Sequence, residues 1–328
     1  MRVLLRPDVF TSSFLIELYV LLWLGSVGRH RVIPDPLDQP EHAVWLGKLD
    51  EQTRRLWTDM VDGSLQREIL EPAHWEVVVT TTNYAAWALP TPSLPIGVAV
   101  DMLLQPYRIL LENNINDRAF LLALCGQEER RALLDAEQRA WLVFEMGGGS
   151  TIVPRVEDIR RSEAMRRMVS VLIDSDAMRP KKEDERPEDV EGSQAYQVRR
   201  AAGDALTGVH IRVLRRRSIE NYLPAAALRR WARGHDERRR RIEALERLTE
   251  PQRHYYNMKS GFDGDTKNAE RAGSLYQELP PRVRERLRQG FGYDIAKLFA
   301  RSVKIEDVET AARDEVRAFV ADVLARMR

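Results

Sequence analysis

The sequence predicts an α/β protein whose central part is a parallel β-sheet flanked by helices. From residue 105 onward, short apolar runs alternate with segments of helical periodicity. Several of these runs end in an acidic residue, and after Ser218 the chain has only helical patterns. Strands separated by helices need right-handed crossovers, which produce a doubly wound, Rossmann-like sheet. In such sheets the functional residues gather at the carboxyl ends of the strands.

The central part contains four predicted strands. They are residues 107–111 (YRILL), 141–146 (WLVFEM), 168–173 (MVSVLI) and 210–214 (HIRVL). Helices are expected over residues 117–125, 156–167 and 193–206. Residues 179–191 are charged and contain prolines, so we predict a mobile loop there.

The two ends of the chain differ from the centre. Residues 1–100 predict a mixed, helix-rich accessory domain, with helices at 12–25 and 41–70 and a strand at 75–82 (WEVVVTTT). Pro90, Pro92 and Pro95 are expected to break any regular element. Residues 101–224 form the predicted catalytic domain, and residues 225–328 form a helical region. We find no internal repeat in the sequence.

The composition limits the possible classes of protein. There are 51 Lys and Arg against 50 Asp and Glu, which gives a net charge of +1. Any electrostatic binding of nucleic acid must therefore come from local clusters of basic residues. Cys125 is the only cysteine, which excludes an intrachain disulfide and argues against a thiolate metal site. The apolar run at 14–25 is too short to cross a bilayer and contains Glu17. We therefore expect a cytoplasmic protein without a membrane anchor.

Acidic residues follow the apolar runs of the central part. Glu112 follows YRILL, and Asp174 and Asp176 follow MVSVLI. The run HIRVL leads into RRRSIENYL, which contains Glu220. Carboxylate oxygens are the ligands that Mg²⁺ and Mn²⁺ prefer, and an acid cluster around such an ion can activate water for attack on phosphate. The strand ends therefore predict a site for a hard divalent cation.

This set of motifs resembles the TOPRIM domain of topoisomerases, bacterial primases and OLD-family nucleases. The resemblance rests on LLENNINDRAFL, LIDSDAM and RRRSIENYL, and covers roughly residues 105–223. It implies that Glu112, Asp174, Asp176 and Glu220 are catalytic or metal-binding. The family's first motif has glycine after the glutamate and an acid four residues on. Here Asn113 follows, and the acid, Asp117, stands five residues on.

The resemblance also extends to a lysine beyond the last acidic motif. In the OLD-like branch a lysine often occupies this place, and YYNMKSGFDGD offers Lys259. Lys259 is therefore a candidate catalytic residue that would stabilise charge on the phosphate. The alternative is an ordinary solvated lysine.

Several of these residues also have ordinary structural explanations. Asp117 can cap a helix instead of joining Glu112, Asp174, Asp176 and Glu220 as a metal ligand, and Glu220 can be an acid at a helix start. Three glycines at 147–149 fit a phosphate-cradling nest or a tight turn, and Glu145 is a further possible ligand.

Two other features bear on function. The arginine-rich segment LRRWARGHDERRRRIEAL fits either a nucleic-acid contact or a solvated helix with internal ion pairs. The histidines have no ligand spacing, and no nucleotide-binding motif such as Walker A is present. An ATPase activity would have to come from a partner.

The expected function is that of a Mg²⁺- or Mn²⁺-dependent nuclease acting on DNA or RNA. The resemblance implies an effector of prokaryotic anti-phage defence, which can work with a separately encoded ATPase. A non-catalytic TOPRIM-fold module that binds nucleic acid or a protein is the alternative. Primase and topoisomerase chemistry is disfavoured because a zinc ribbon and a gyrase-type tyrosine domain are lacking. The choice between DNA and RNA and the oligomeric state stay open.

Overall fold

The computed structural model describes residues 1–11, 13, 15–87, 91–181, 193–203 and 209–327. The chain divides into two compact units. The first unit contains residues 1–107, 135–142 and 321–328, and the second contains residues 108–134 and 143–320.

The first unit contains a parallel four-stranded sheet. Its strands are β1 (Arg2–Leu5), β2 (Arg31–Pro34), β3 (Glu76–Thr80) and β4 (Ser93–Pro95), in the order β2-β1-β3-β4. All three strand pairs are parallel. The helices between and directly after these strands are α1 (Pro7–Thr11), α2 (Leu15–Ser26), α3 (Pro40–Gly47), α4 (Glu51–Leu70) and α5 (Ile96–Leu104).

This sheet corrects the description of residues 1–100 as a mixed, helix-rich region with one strand. A helix near the one predicted at 12–25 and the strand near residue 76 are present, but the helix predicted at 41–70 is two helices, α3 and α4. Strands β1, β2 and β4 were missed. The prediction that the prolines break every regular element was wrong for residues 93–95. Because β4 is at the edge of the sheet, its proline removes no hydrogen bond from an inner strand.

The second sheet carries the strands predicted for the central part. They are β5 (Tyr107–Leu111), β6 (Leu142–Met146), β7 (Val169–Ile173) and β8 (His210–Val213), in the order β6-β5-β7-β8. The pairs β5–β7 and β7–β8 are parallel, as predicted. β7 is buried along its whole length, which explains its almost continuous apolar sequence.

Helices are the main elements in the rest of the described residues. Those between β5 and β8 are α6 (Asn116–Leu124), α7 (Gln127–Gln138), α8 (Ile152–Arg161), α9 (Glu163–Met168) and α10 (Gln194–Ala202). After β8 come α11 (Ala225–Trp231), α12 (Asp236–Glu246), α13 (Glu250–Tyr255), α14 (Gly261–Gly264), α15 (Pro281–Arg286), α16 (Leu298–Arg301) and α17 (Thr310–Met327). The predicted helical C-terminal region is therefore present.

A hydrophobic core holds α8 and α10 against the second sheet. It contains Leu110 of β5, Val169, Val171 and Ile173 of β7, and apolar residues of the two helices, including Val156 and Val198. These core residues are at most 8% exposed. The core fixes the positions at which β5 and β7 end.

The two sheets have the same strand order. In each, the second strand lies beside the first on one side, and the third and fourth follow on the other. The winding direction therefore reverses between β1 and β3, and again between β5 and β7. In doubly wound sheets the crevice for ligands opens beside this reversal, at the carboxyl ends of the strands.

Two predictions for the central part differ from the structure or lie beyond it. The helix expected at 156–167 is two helices, α8 and α9, because Ser162 ends the first and caps the second by accepting the Met165 N–H. The predicted mobile loop at 179–191 lies almost wholly outside the described residues, as do positions 204–206 of the helix predicted at 193–206. Among the described residues, no helix combines the length and apolarity needed to cross a bilayer.

Candidate functional site

Glu112 and Asp174 follow neighbouring strands at the point where the winding reverses. β5 and β7 are in register so that Leu111 pairs with Leu172, and Glu112 and Asp174 come directly after the two strands. Both side chains therefore begin at the same edge of the sheet. This is the place that the strand-end rule predicts for them.

The segment after β7 is hydrogen-bonded to the segment after β8. The Ser175 hydroxyl donates to the Arg216 carbonyl at 2.8 Å, and the Asp176 N–H donates to the Arg217 carbonyl at 3.0 Å. The Ile219 N–H donates to Asp174 Oδ1 at 3.0 Å. These bonds fix the LIDSDAM and RRRSIENYL segments against each other.

Glu220 lies in a short 3₁₀ helix, Ile219–Tyr222, whose start is closed by a capping box. The Asn221 side chain accepts from the Ser218 N–H at 3.1 Å and donates to the carbonyls of Arg253 and Tyr256. Asn221 therefore orients this turn. Glu220 itself is only 2% exposed, which does not fit a solvated acid at a helix start.

Lys259 contacts two of the predicted acids. Its Nζ lies 3.3 Å from Glu220 Oε1 and 3.9 Å from Asp174 Oδ2. The side chain is 36% exposed, so one part of it reaches solvent while the ammonium faces the carboxylates. Lys259 is thus at the predicted site, 85 residues along the chain from Asp174, and is not an isolated surface lysine.

Asp117 and Asp176 occupy the margins of this cluster. Asp117 is 8% exposed, and its Oδ2 accepts from the Asn113 N–H at 2.9 Å, so it does stabilise the start of α6. Its charge also interacts with Glu220 and Lys259. Asp176 has a left-handed backbone (φ 52°), a conformation that aspartate adopts more readily than most residues.

The acids have raised pKa values, chiefly because of burial. Burial and the charges of Asp176 and Asp117 raise the pKa of Glu112 to about 7, and burial raises that of Asp117 to about 6. The pKa of Asp174 is raised well above its usual value by burial and by Glu112 and Glu220. Burial lowers the Lys259 pKa, but Asp174, Glu220 and Glu112 attract the ammonium strongly enough that the net shift is upward.

The predicted acids are close but do not form a compact ligand set. Among the described residues, the only three acids or histidines with ligand atoms within 4.8 Å of one another are Glu250, His254 and Glu309. Glu309 is already bonded to the Arg216 guanidinium, so this trio belongs to an ion-pair network. The predicted acids are joined instead through Lys259 and through the Ile219–Asp174 hydrogen bond.

One atom in the cluster lacks a partner. Glu220 Oε2 is buried and has no hydrogen-bond partner among the described residues. A buried carboxylate oxygen without a donor or a cation is costly. An oxygen-rich donor set with one unsatisfied oxygen fits a hard divalent cation such as Mg²⁺ or Mn²⁺.

Two further candidates have structural partners. The N–H groups of Gly147 and Gly148 donate to the carbonyls of Leu111 and Glu112, so they cannot cradle a phosphate. These glycines therefore form the tight turn and not the nest. Glu145 lies 2.6 Å from Arg155 and 3.6 Å from Arg108, which makes it an ion-pair partner.

Two supporting acids were not identified from the sequence. Asp265 accepts two hydrogen bonds, of 2.6 and 2.7 Å, from the Arg217 guanidinium. Glu315 accepts from the Arg215 N–H at 2.8 Å and from the Tyr222 hydroxyl at 2.7 Å. Both acids brace the segment that carries Glu220. No spacing in the sequence connects them with that segment.

A close backbone contact fixes the loop that carries Lys259. A Cβ on Gly290 would lie 2.5 Å from both the carbonyl carbon and the oxygen of Lys259, which is closer than any such contact allows. We predict that Gly290→Ala lowers the free energy of unfolding by about 1–3 kcal/mol, the usual range for overpacking. The measurement is urea unfolding followed by circular dichroism.

The matched control is Gly63→Ala in α4, where a Cβ meets nothing within 4 Å. Because alanine favours a helix over glycine, this change should raise stability by about 0.5–1 kcal/mol. Equal effects of the two substitutions would contradict the assigned contact.

Comparisons of the chain with protein-family models, with curated proteins and with solved structures give no match.

Proposed function

We propose that this protein is a metal-dependent nuclease of the TOPRIM class that hydrolyses nucleic-acid phosphodiesters. The proposal rests on the contacts of the Lys259 ammonium with the carboxylates of Asp174 and Glu220. Asp174 follows β7, which is paired with β5. Residues from four separate segments, with Glu112 on the first, contribute to one cluster. Acids and a lysine in this arrangement suit a reaction in which negative charge develops on a phosphate.

Each residue has a proposed role. Glu112, Asp174, Asp176 and Glu220 would hold one or two Mg²⁺ or Mn²⁺ ions, with Asp117 at the margin of the set. A bound ion would supply charge neutralisation and a water of lowered pKa. Lys259 would place its ammonium against a nonbridging oxygen of the phosphate, and the two acids beside it keep it charged and in position.

The experiment is a cleavage assay on purified protein. Plasmid, single-stranded DNA and transfer RNA are incubated with Mg²⁺, Mn²⁺ or EDTA. We expect cleavage in Mn²⁺ or Mg²⁺ and none in EDTA. Cleavage that persists in EDTA would refute the proposed mechanism, because the predicted acids would then act without a metal.

A non-catalytic binding module is the second candidate. It is favoured by the ion pairs of Lys259, which partly neutralise the acids in the way a structural salt bridge does. Thermal unfolding separates the two candidates. A ligand that binds the folded state raises the midpoint, so Mn²⁺ should raise it in a nuclease and leave it unchanged in a module without a metal site.

Partners belong to the same proposal. By resemblance to defence effectors, a separately encoded ATPase would control cleavage, since the chain contains no recognisable nucleotide-binding motif. If the protein alone cuts none of the substrates, the assay is repeated with the product of a neighbouring ATPase gene.

A further inference from the structure

A wide groove lies between α12 and the segment that begins with α15. Its volume is about 970 Å³. We call it the arginine groove, because six of its residues are arginines: Arg240, Arg241 and Arg247 on one side, and Arg282, Arg286 and Arg288 on the other.

The arginine groove concentrates positive charge. Its six arginines face three glutamates (Glu237, Glu243 and Glu285), which leaves an excess of three positive charges. The whole chain has a net charge of only +1. The groove is therefore a local basic surface of the kind that the overall composition cannot provide.

The arginines in α12 and directly after it differ in their partners. Arg239, which does not line the groove, pairs with Asp236 at 3.0 Å and with Glu243 at 3.8 Å. Arg240 and Arg247, which do line it, make no ion pair within the described part of the chain, and the same is true of Arg282. All three are exposed. The segment thus combines both interpretations of its sequence, because Arg239 and Arg241 form internal ion pairs while Arg240 and Arg247 leave their cations available in the groove.

The spacing of these arginines suits an extended polyanion. Arg240 lies in α12, and Arg247 directly follows the helix with a helical backbone, so the two are about 10 Å apart along the helix axis and on nearly the same face. Arg282 comes from the opposite side of the groove. Guanidinium groups bind phosphate through paired N–H donors and stay charged at any physiological pH.

The segment that follows the groove residue Gln289 contacts the Lys259 loop. The Arg241 guanidinium donates to the Gly290 carbonyl, and Gly290 packs directly on the Lys259 backbone. The Phe291 N–H donates to the Met258 carbonyl at 2.7 Å, and the Gly292 N–H donates to the Lys259 carbonyl at 3.0 Å. One short segment therefore borders the groove and holds the proposed catalytic lysine.

We propose that the arginine groove binds the phosphodiester backbone of the nucleic-acid strand on which the acidic cluster acts. This inference rests on the proposed nuclease function for the identity of the strand. Arg240, Arg247 and Arg282 contact phosphates without reading bases, so the groove adds affinity but no sequence preference. The strand continues past the Gln289–Gly292 segment toward Lys259.

The test measures binding apart from cleavage. Fluorescence anisotropy in EDTA gives the affinity for labelled single-stranded DNA, duplex DNA and RNA at several salt concentrations. The variant is Arg240→Gln/Arg247→Gln/Arg282→Gln. Each lost phosphate contact reduces the magnitude of the slope of log K against log salt by about 0.7–0.9, so three lost contacts should reduce it by about 2–3 and lower the affinity on the order of 10-fold or more.

The control variant is Arg55→Gln/Arg239→Gln/Arg317→Gln. It removes the same charge from exposed, ion-paired arginines that do not line the groove. It should retain the wild-type slope. Equal losses in both variants would overturn the proposal, because the effect would then reflect net charge alone.

Two other results distinguish the inference from the nuclease proposal. If labelled polyglutamate binds as tightly as the oligonucleotides and loses affinity in the same variant, the groove is a general polyanion surface and the inference fails. If the groove variant alone loses oligonucleotide affinity but wild type cleaves nothing in Mn²⁺, the inference stands and the nuclease proposal fails. Metal-dependent cleavage by wild type, together with unchanged affinity in the groove variant, would overturn the inference and leave the nuclease proposal standing.

Discussion

Asp174→Asn is expected to reduce metal-dependent cleavage on the order of 1000-fold, the upper range for removing one group that stabilises developing charge. Asparagine keeps an oxygen that can accept the Ile219 N–H, so the turn that carries Glu220 should stay in place. The lost negative charge removes a proposed ligand of the metal and one partner of Lys259. The rate of plasmid nicking in Mn²⁺ is the measurement.

The same substitution, Asp174→Asn, should not lower the thermal stability of the protein. The pKa of Asp174 is raised by burial and by neighbouring acids, so its ionised form destabilises the metal-free fold at neutral pH. Asp174→Asn should therefore unfold at the same temperature as wild type or higher. Asp62→Asn, at an exposed position of α4, is the control and should change neither property. Cleavage by Asp174→Asn at the wild-type rate would refute the mechanism.

Asp265→Ala is expected to cost about 3–5 kcal/mol of unfolding free energy, the usual result of breaking a buried ion pair from one side. The side chains of Arg217 and Asp265 are only 15% and 11% exposed, and two hydrogen bonds join them. Without Asp265 the Arg217 guanidinium stays buried with much of its charge uncompensated. Urea unfolding at neutral pH measures the loss.

Asp158→Ala provides the comparison for this prediction. Asp158 pairs with Arg161 at 2.6 Å, but both side chains are more than 70% exposed. Solvent screens such a pair, so its loss should cost at most about 1 kcal/mol. A cost for Asp265→Ala as small as this would mean that the buried pair contributes little to the stability of the fold.

The strands that carry the acids could be predicted because inner parallel strands are buried on both faces. β7 therefore has the continuous apolar sequence VSVLI, and the predicted start was one residue early. Strands β1 and β2 have only four residues each, and β4 has three. Runs this short contain too few alternations of apolar and polar residues for a strand periodicity to be detected. Their strand conformation depends on pairing with the neighbouring strands of the sheet.

The acids at the strand ends could be predicted from their position in the sequence. The two acids that hold the Glu220 segment in place, Asp265 and Glu315, could not. Glu112 and Asp174 each follow an apolar run directly, which is a local signal. Asp265 lies 48 residues from Arg217, and Glu315 lies 93 residues from Tyr222. Such pairings depend on how distant helices pack. The resemblance, and not the strand pattern, indicated Lys259.

The shared strand order makes the first unit a counterpart of the second, position by position. Arg6 directly follows β1 as Glu112 follows β5, and Thr81 follows β3 as Asp174 follows β7. Arg6 is paired with Asp35, and the N–H and hydroxyl of Thr81 both donate to Asp8 at 2.7 Å. The same topology thus ends once in an ion pair and a threonine bound to an aspartate, and once in a cluster of buried acids with raised pKa values. Chain topology sets the location, and the side chains placed there decide whether any chemistry can take place.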